Sequence, residues 1–189
     1  MPNLVSMARA CNKKAIAGVR SVLYITLIDE LTGWPQTAAE LGGSDPGDTK
    51  ILGEAFDFTG APAGKGYWRT FPILVDTGAV NNESAGEVGS LIINNRLPFF
   101  ILGSEAEQLE AIDCFVQYSG CMIAMIAGKN KKYYVMGNPD DPVWVQEITG
   151  GTGTAPGDRN GHQYTLYSNT GESVMIYDDS LGIDIEANV

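Results

Sequence analysis

Apolar residues in this chain come in short β-branched or aromatic runs of strand length, and only once at the spacing of a helix. SVLYITLIDE at 21–30 is apolar enough for a buried strand, and YWRTFPILVD at 67–76 is a second. Pro72 assigns that second strand to a sheet edge or a bulge, because proline cannot donate to a ladder. SLIINNRLPFFIL at 90–102 is a third, interrupted at Pro98, and TGAVNNESAGEVG before it reads as a polar turn. CMIAMIA at 121–127 and KYYVM at 132–136 predict a hairpin around Gly128, Lys129, Asn130 and Lys131. VWVQEI at 143–148 alternates like a half-buried strand. HQYTLYS at 162–168 and ESVMIYD at 172–178, split by Asn169, Thr170 and Gly171, predict a closing hairpin.

The period changes at residues 105–118, where Leu109, Ile112, Phe115 and Val116 recur at helical spacing. Ser104 followed by Glu107 predicts a capping box, and Gly120 ends the helix. Residues 31–66 differ again: they are rich in Gly, Pro, Asp and Thr, yet carry Trp34, Ile51, Leu52, Phe56 and Phe58. A loop of this length in a compact domain is uncommon, and one this apolar needs a surface to cover. A neighbouring subunit is the expected surface. Residues 1–20 lack periodicity and read as an arm. Eight to ten short strands with one helix predict a mainly β, single-domain chain over 1–189: an antiparallel sandwich or small barrel with one flanking helix.

Composition narrows the function classes. At 189 residues with 44% hydrophobic content the chain suits one domain with a real core. No apolar run approaches the roughly 18 residues of a bilayer helix. The first thirty residues do not build a secretory signal, since Arg9, Lys13, Lys14 and Arg20 reach far into them. Cys11, Cys114 and Cys121 are odd in number and without paired spacing, so reduced, buried thiols in a reducing cytosol are expected.

The net charge of −11 is unevenly placed. Residues 1–28 hold four bases and no acid, whereas after Arg159 there is no base and Glu172, Asp178, Asp179, Asp184 and Glu186 follow. Such asymmetry fits either a solvated acidic surface or complementarity between copies, in which the arm of one meets an acidic surface of the next. It does not fit gripping nucleic acid, which needs a concentrated basic face.

Candidate chemistry is sparse. The glycines of ITGGTGTAPGDRNGHQ have neither the G-x-G-x-x-G spacing nor the lysine of a phosphate loop, and the strand-like HQYTLYS behind them offers no helix N-terminus. They read as a turn between strands, shaped by Asp158, Arg159 and Asn160. His162 is the one histidine, expected exposed or on an edge strand, and no G-x-S-x-G elbow accompanies it. Asp140 and Asp141 lack calcium-loop grammar. No cofactor, metal site or catalytic residue is predicted. The aromatic residues could instead form a sugar-stacking platform, although most occupy alternating strand positions suited to packing.

GSLIINNRLPFFILGSEAEQLEAIDCF, followed by GDRNGHQYTLYSNTGESVMIYD, resembles the major tail-tube type of virion protein of phages and prophages of Bacteroidetes-like hosts. The likeness spans most of residues 67–178. It implies a β-sandwich or small barrel whose copies form hexameric rings, assembled in the host cytoplasm and stacked into a virion tail tube. DNA would pass along the lumen without specific binding, and other tail proteins would be partners. With that resemblance, residues 1–20 and 31–66 become expected subunit contacts, and the candidate interface residues are Arg9, Lys13, Lys14, Trp34, Asp45, Asp48, Phe56, Phe58, Asp158 and Arg159. Acidic strand residues would face the channel. A carbohydrate-binding sandwich, or another phage head or connector component, is the alternative.

Overall fold

The computed structural model describes residues 18–45, 47–59, 66–153, 155, 158–183 and 185. Among these, ten strands and one α-helix form two sheets packed face to face, a β-sandwich with one helix. The strands are β1 (Val19–Leu27), β2 (Ile51–Leu52), β3 (Arg69–Pro72), β4 (Asn81–Ala85), β5 (Ile92–Leu102), β6 (Met122–Gly128), β7 (Lys132–Met136), β8 (Trp144–Gly151), β9 (Gly161–Ser168) and β10 (Met175–Asp178); the helix is α1 (Ala106–Gln117). One sheet runs β2-β10-β7-β6-β1-β3 and the other β4-β5-β9-β8. Every pairing is antiparallel except that of β10 with β2.

The uninterrupted apolar run of β6 follows from its place in the six-stranded sheet. Met122, Ala124 and Ile126 point into the core shared with Leu97, Phe99 and Ile101 of β5 and Tyr164 and Leu166 of β9. Ile123, Met125 and Ala127 point the opposite way, into a second core with Leu52, Phe56, Trp68 and Tyr177. A strand buried on both faces has no polar position to alternate with. α1 closes one side of the first core through Phe115, whose ring lies 5.0 Å from Phe71 and 5.2 Å from Tyr164.

Segment 31–59 covers the second core. Rather than a formless loop, it holds β2, a 3-10 turn at Asp48–Lys50, and bridges from Gly33 to Asp57 and from Thr37 to Leu52. Phe56 is 5% exposed and its ring meets Trp34 at 5.6 Å, Trp68 at 5.0 Å and Tyr177 at 5.3 Å. Phe58 meets Trp68 edge-on at 6.4 Å. The surface these residues cover is their own sheet, where a neighbouring subunit was expected: Phe56 is buried there and leaves no face for another copy, while Trp34 and Phe58 are half-buried.

Three local expectations also change. β9 and β10 do not form a hairpin, because residues 169–174 carry the chain from one sheet to the other. Asn95 Nδ2 secures that crossing by donating to Thr170 Oγ1 at 3.0 Å and the Glu172 carbonyl at 2.8 Å. The helix is capped one residue later than expected, with Glu105 as N-cap: its N–H donates to Gln108 Oε1 at 3.1 Å, while Ser104 Oγ bonds Asn160 Oδ1 at 2.5 Å. The polar stretch before β5 contains β4, a strand with no apolar face.

The prolines sit where their missing N–H costs nothing. Pro72 lies in β3, an edge strand. Pro98 lies beyond the end of β4, whose first residue Asn81 pairs with Arg96, so no strand asks it for a donor on that side. Its carbonyl accepts from Ala79 N–H at 3.2 Å.

Candidate assembly surface

The four-stranded sheet has one face in the core and one outside it. Leu97, Phe99, Tyr164 and Leu166 fill the inner face. Side chains alternate along a strand, so the register places Asn94, Arg96, Thr165, Tyr167, Glu83, Glu147 and Thr149 on the outer face. Its charges are two carboxylates and one guanidinium, and the guanidinium is paired: Arg96 Nη1 lies 3.3 Å from Glu83 Oε2. Tyr167 donates its hydroxyl proton to Asn94 Oδ1 at 3.1 Å. The centre of this face is therefore built of amides, hydroxyls and paired charge, while the same register sets exposed Ile92 and Leu102 at the two ends of β5 and exposed Trp144 at the start of β8.

Among the described residues both margins of this sheet are open: β4 pairs only with β5, and β8 only with β9. β4 is exposed at four of its five positions. At the start of β8 the Val145 N–H is taken by Ser119 Oγ at 2.9 Å, so the free margin runs over Glu147–Gly151. Unpaired strand edges are templates for pairing with another chain. Because the order alternates in direction through four strands, β4 of one copy can meet β8 of another antiparallel, and the alternation continues without a break.

The glycines beside Asp158 serve the β8–β9 hairpin. Gly151 pairs with Gly161, and Gly150 with His162. Gly161 has φ 147°, and a Cβ there would lie 2.3 Å from the Ile101 carbonyl oxygen, so only glycine lets β5 approach. Asp158 Oδ2 accepts from Ala155 N–H at 2.8 Å and shapes the loop; Arg159 is exposed beside it. His162 is half-buried on β9, between β5 and β8, rather than exposed or on an edge strand.

A cleft of about 390 Å³ opens between α1 and β3. Leu27, Phe71, Phe115 and Met122 give it an apolar floor, and Glu30, Glu107 and Glu110 stand on it or at its rim. Glu30 is 1% exposed and takes both ends of the Arg69 fork, at 3.0 and 2.7 Å. A bidentate pair of this kind fixes geometry as well as charge. Arg69 also lies 4.9 Å from the centre of the Tyr67 ring.

The sequence-predicted site residues are scattered over these features. Arg9, Lys13 and Lys14 lie outside the described residues. Asp45 and Asp48 form a local turn in which Asp45 N–H donates to Asp48 Oδ2 at 2.9 Å. Phe56 belongs to the second core, and Trp34 and Phe58 pack half-buried against it. Asp57 in the same segment accepts from Thr59 N–H at 2.8 Å, and that hydrogen bond holds its carboxyl below the ordinary range. Cys114 is half-buried in the cleft wall, and Cys121 is exposed rather than buried. Among the described residues, no group of three or more His, Cys, Asp or Glu side chains is placed to hold a metal, and no helix is long and apolar enough to cross a membrane. Sequence reasoning missed the free margins of β4 and β8, because an open edge is a property of the whole sheet and not of either strand.

What fold and surface define together is a two-sheet antiparallel sandwich with one flanking helix and an unpaired margin at each end of its smaller sheet. Set beside known protein families, curated proteins and solved structures, the chain matches none of them.

Proposed function

We propose that this chain is a structural subunit of a phage tail tube, which closes into rings by edge-to-edge pairing of its four-stranded sheet and stacks those rings into a conduit for DNA. The observation that carries the proposal is the pair of margins, β4 and β8, open among the described residues and running in opposite senses on a sheet whose outer face is polar at its centre. If six copies share one wall, strands about 4.8 Å apart and tilted by about 40° give a barrel roughly 45–50 Å across between backbones, wide enough for a duplex. Paired Arg96 and the amides and hydroxyls around it suit that wall, since unpaired bases there would bind phosphate and slow its passage.

The aromatic inventory favours this over a carbohydrate-binding module. Trp68, Tyr164, Tyr133 and Tyr177 are buried, and Trp144 and Tyr118 are the exposed Trp and Tyr side chains among the described residues. Stacking on a sugar needs a row of such rings.

Electron microscopy of the concentrated protein tests the proposal, with amide hydrogen exchange on the same samples. Rings or tubes are expected, together with slower exchange in Asn81–Ala85 and Glu147–Gly151 on assembly. A protein that stays monomeric at high concentration, or rings that leave both margins exchanging freely, would refute it.

A further inference from the structure

We infer that the cleft between α1 and β3 receives the basic segment 1–17 of a second copy of this chain. The inference rests on the self-assembly proposed above and names one of its contacts.

Two features of the cleft call for an extended, basic segment. Among the described residues β3 is an edge strand, with β1 on one side and, past the bridge that ties Trp68 just before it to Ile185, no strand on the other, so an added strand can lie along Arg69–Pro72 and feed alternate side chains into the space beneath. That space is apolar below, at Leu27, Phe71, Phe115 and Met122, and acidic above, at Glu107 and Glu110. Its basic lining residue, Arg69, is engaged by Glu30. The rim therefore presents net negative charge. Segment 1–17 has the opposite character, with Arg9, Lys13 and Lys14, no acid, and apolar Leu4, Val5, Met7 and Ile16.

Reach favours the segment of a neighbour. The described chain begins at Gly18, beside Lys129, while the cleft is lined by Ile25 and Leu27 toward the other end of β1. From Gly18 to Ile25 along the strand is about 23 Å at 3.3 Å per residue. Fully extended, the four and five residues back to Lys14 and Lys13 cover about 14–17 Å. A copy docking its own segment can bring Arg9 as far as Ile25 but leaves both lysine backbones short of it, whereas a neighbour's segment is free to bring all three bases to the rim together. A contact of this kind joins two different surfaces and so propagates from copy to copy.

Native cysteines make the test direct, because Cys11 lies between Arg9 and Lys13 and Cys114 lines the cleft. In full-length protein carrying Cys121→Ser, one batch also carries Cys11→Ser and the other Cys114→Ser. The two are mixed and treated with a short bis-maleimide. A cross-linked heterodimer is expected, reduced about fivefold or more by Glu107→Lys with Glu110→Lys, both exposed positions. Yield should return when the Cys114→Ser batch, which supplies the segment, also carries Arg9→Glu, Lys13→Glu and Lys14→Glu. No cross-linked heterodimer, the outcome of a segment docked on its own chain, or a yield indifferent to the charge reversals would overturn the inference. Rings seen in a sample without the cross-link would leave self-assembly standing, and a cross-link without rings would do the reverse.

Discussion

Phe56→Ala separates a cover built within one chain from a contact between chains. Phe56 is 5% exposed and ringed by Trp34, Trp68 and Tyr177 at 5.0–5.6 Å. Removing a buried phenyl group costs about 3–5 kcal/mol, through lost transfer energy and the cavity left behind. Neighbouring rings cannot close that space cheaply, because Trp68 and Tyr177 are each 1% exposed and held by the sheet. Taking about 4 kcal/mol and roughly 2–4 °C per kcal/mol for a chain of this size, the melting temperature should fall by about 8–16 °C. Urea unfolding followed by tryptophan fluorescence, repeated over a hundredfold range of protein concentration, gives the answer. The expected loss is the same at every concentration, since an intrachain cover does not depend on a partner, whereas a subunit interface gains stability with concentration. A loss below about 1 kcal/mol in the dilute monomer, or one that appears only as the protein is concentrated, would return Phe56 to the interface.

Four smaller perturbations probe other parts of the structure. Tyr164 is fully buried and its hydroxyl has no partner among the described residues, so Tyr164→Phe should raise stability by about 1 kcal/mol in the same unfolding assay. Burial also pushes the Tyr164 phenol up to about 12 from 10.0. Folding therefore holds a proton that the unfolded chain releases, and stability falls between about pH 10 and 12; wild type minus Tyr164→Phe should show that slope. Gly161→Ala sets a methyl against the Ile101 carbonyl and should cost about 3 kcal/mol, while Gly151→Ala, with open space around its Cβ, should be close to neutral by thermal melting. Gln108→Ala removes the acceptor of the Glu105 N–H and should cost about 0.5–1 kcal/mol, visible as earlier loss of helical circular dichroism.

Local elements were legible in the sequence because their signals are local. KYYVM at 132–136 is β7 to the residue, and the helix expected over 105–118 is Ala106–Gln117. Pairing was less legible. β9 and β10 look like a hairpin because three turn residues join two alternating strands, yet Asn95 fixes those residues in a crossing between sheets. β4 was invisible because NNESA buries nothing and is held by backbone pairing to β5. The shifted cap has a similar origin: Ser104 can cap, but its hydroxyl is drawn to Asn160, a residue 56 positions away. In the candidate site, the apolar character of Trp34, Phe56 and Phe58 announced a covered surface without saying whose. A sheet buried on both faces would have answered that, and the all-apolar MIAMIA of β6 was the signal for it.

That two-sided burial also limits which surfaces can serve association. The six-stranded sheet has its inner face against the smaller sheet and its outer face under segment 31–59, so neither is free. At the β2 end, the short edge is already bridged by Thr37. Among the surfaces the described residues leave outward are the outer face and two margins of the smaller sheet, together with the β3 edge and the cleft beside α1. These lie on different elements and differ in chemistry: backbone pairing at the margins, charge over an apolar floor at the cleft. A subunit that closes laterally by the first and links to another copy by the second needs no further surface to build a tube. The two interfaces should also respond differently to salt. Raising ionic strength from low to physiological values shortens the screening length from about 30 to 8 Å, which weakens an exposed acidic rim and leaves strand pairing nearly untouched. Light scattering across a salt series should then show stacks separating at the cleft while the rings stay closed, and separation of both at the same salt concentration would argue against two distinct interfaces.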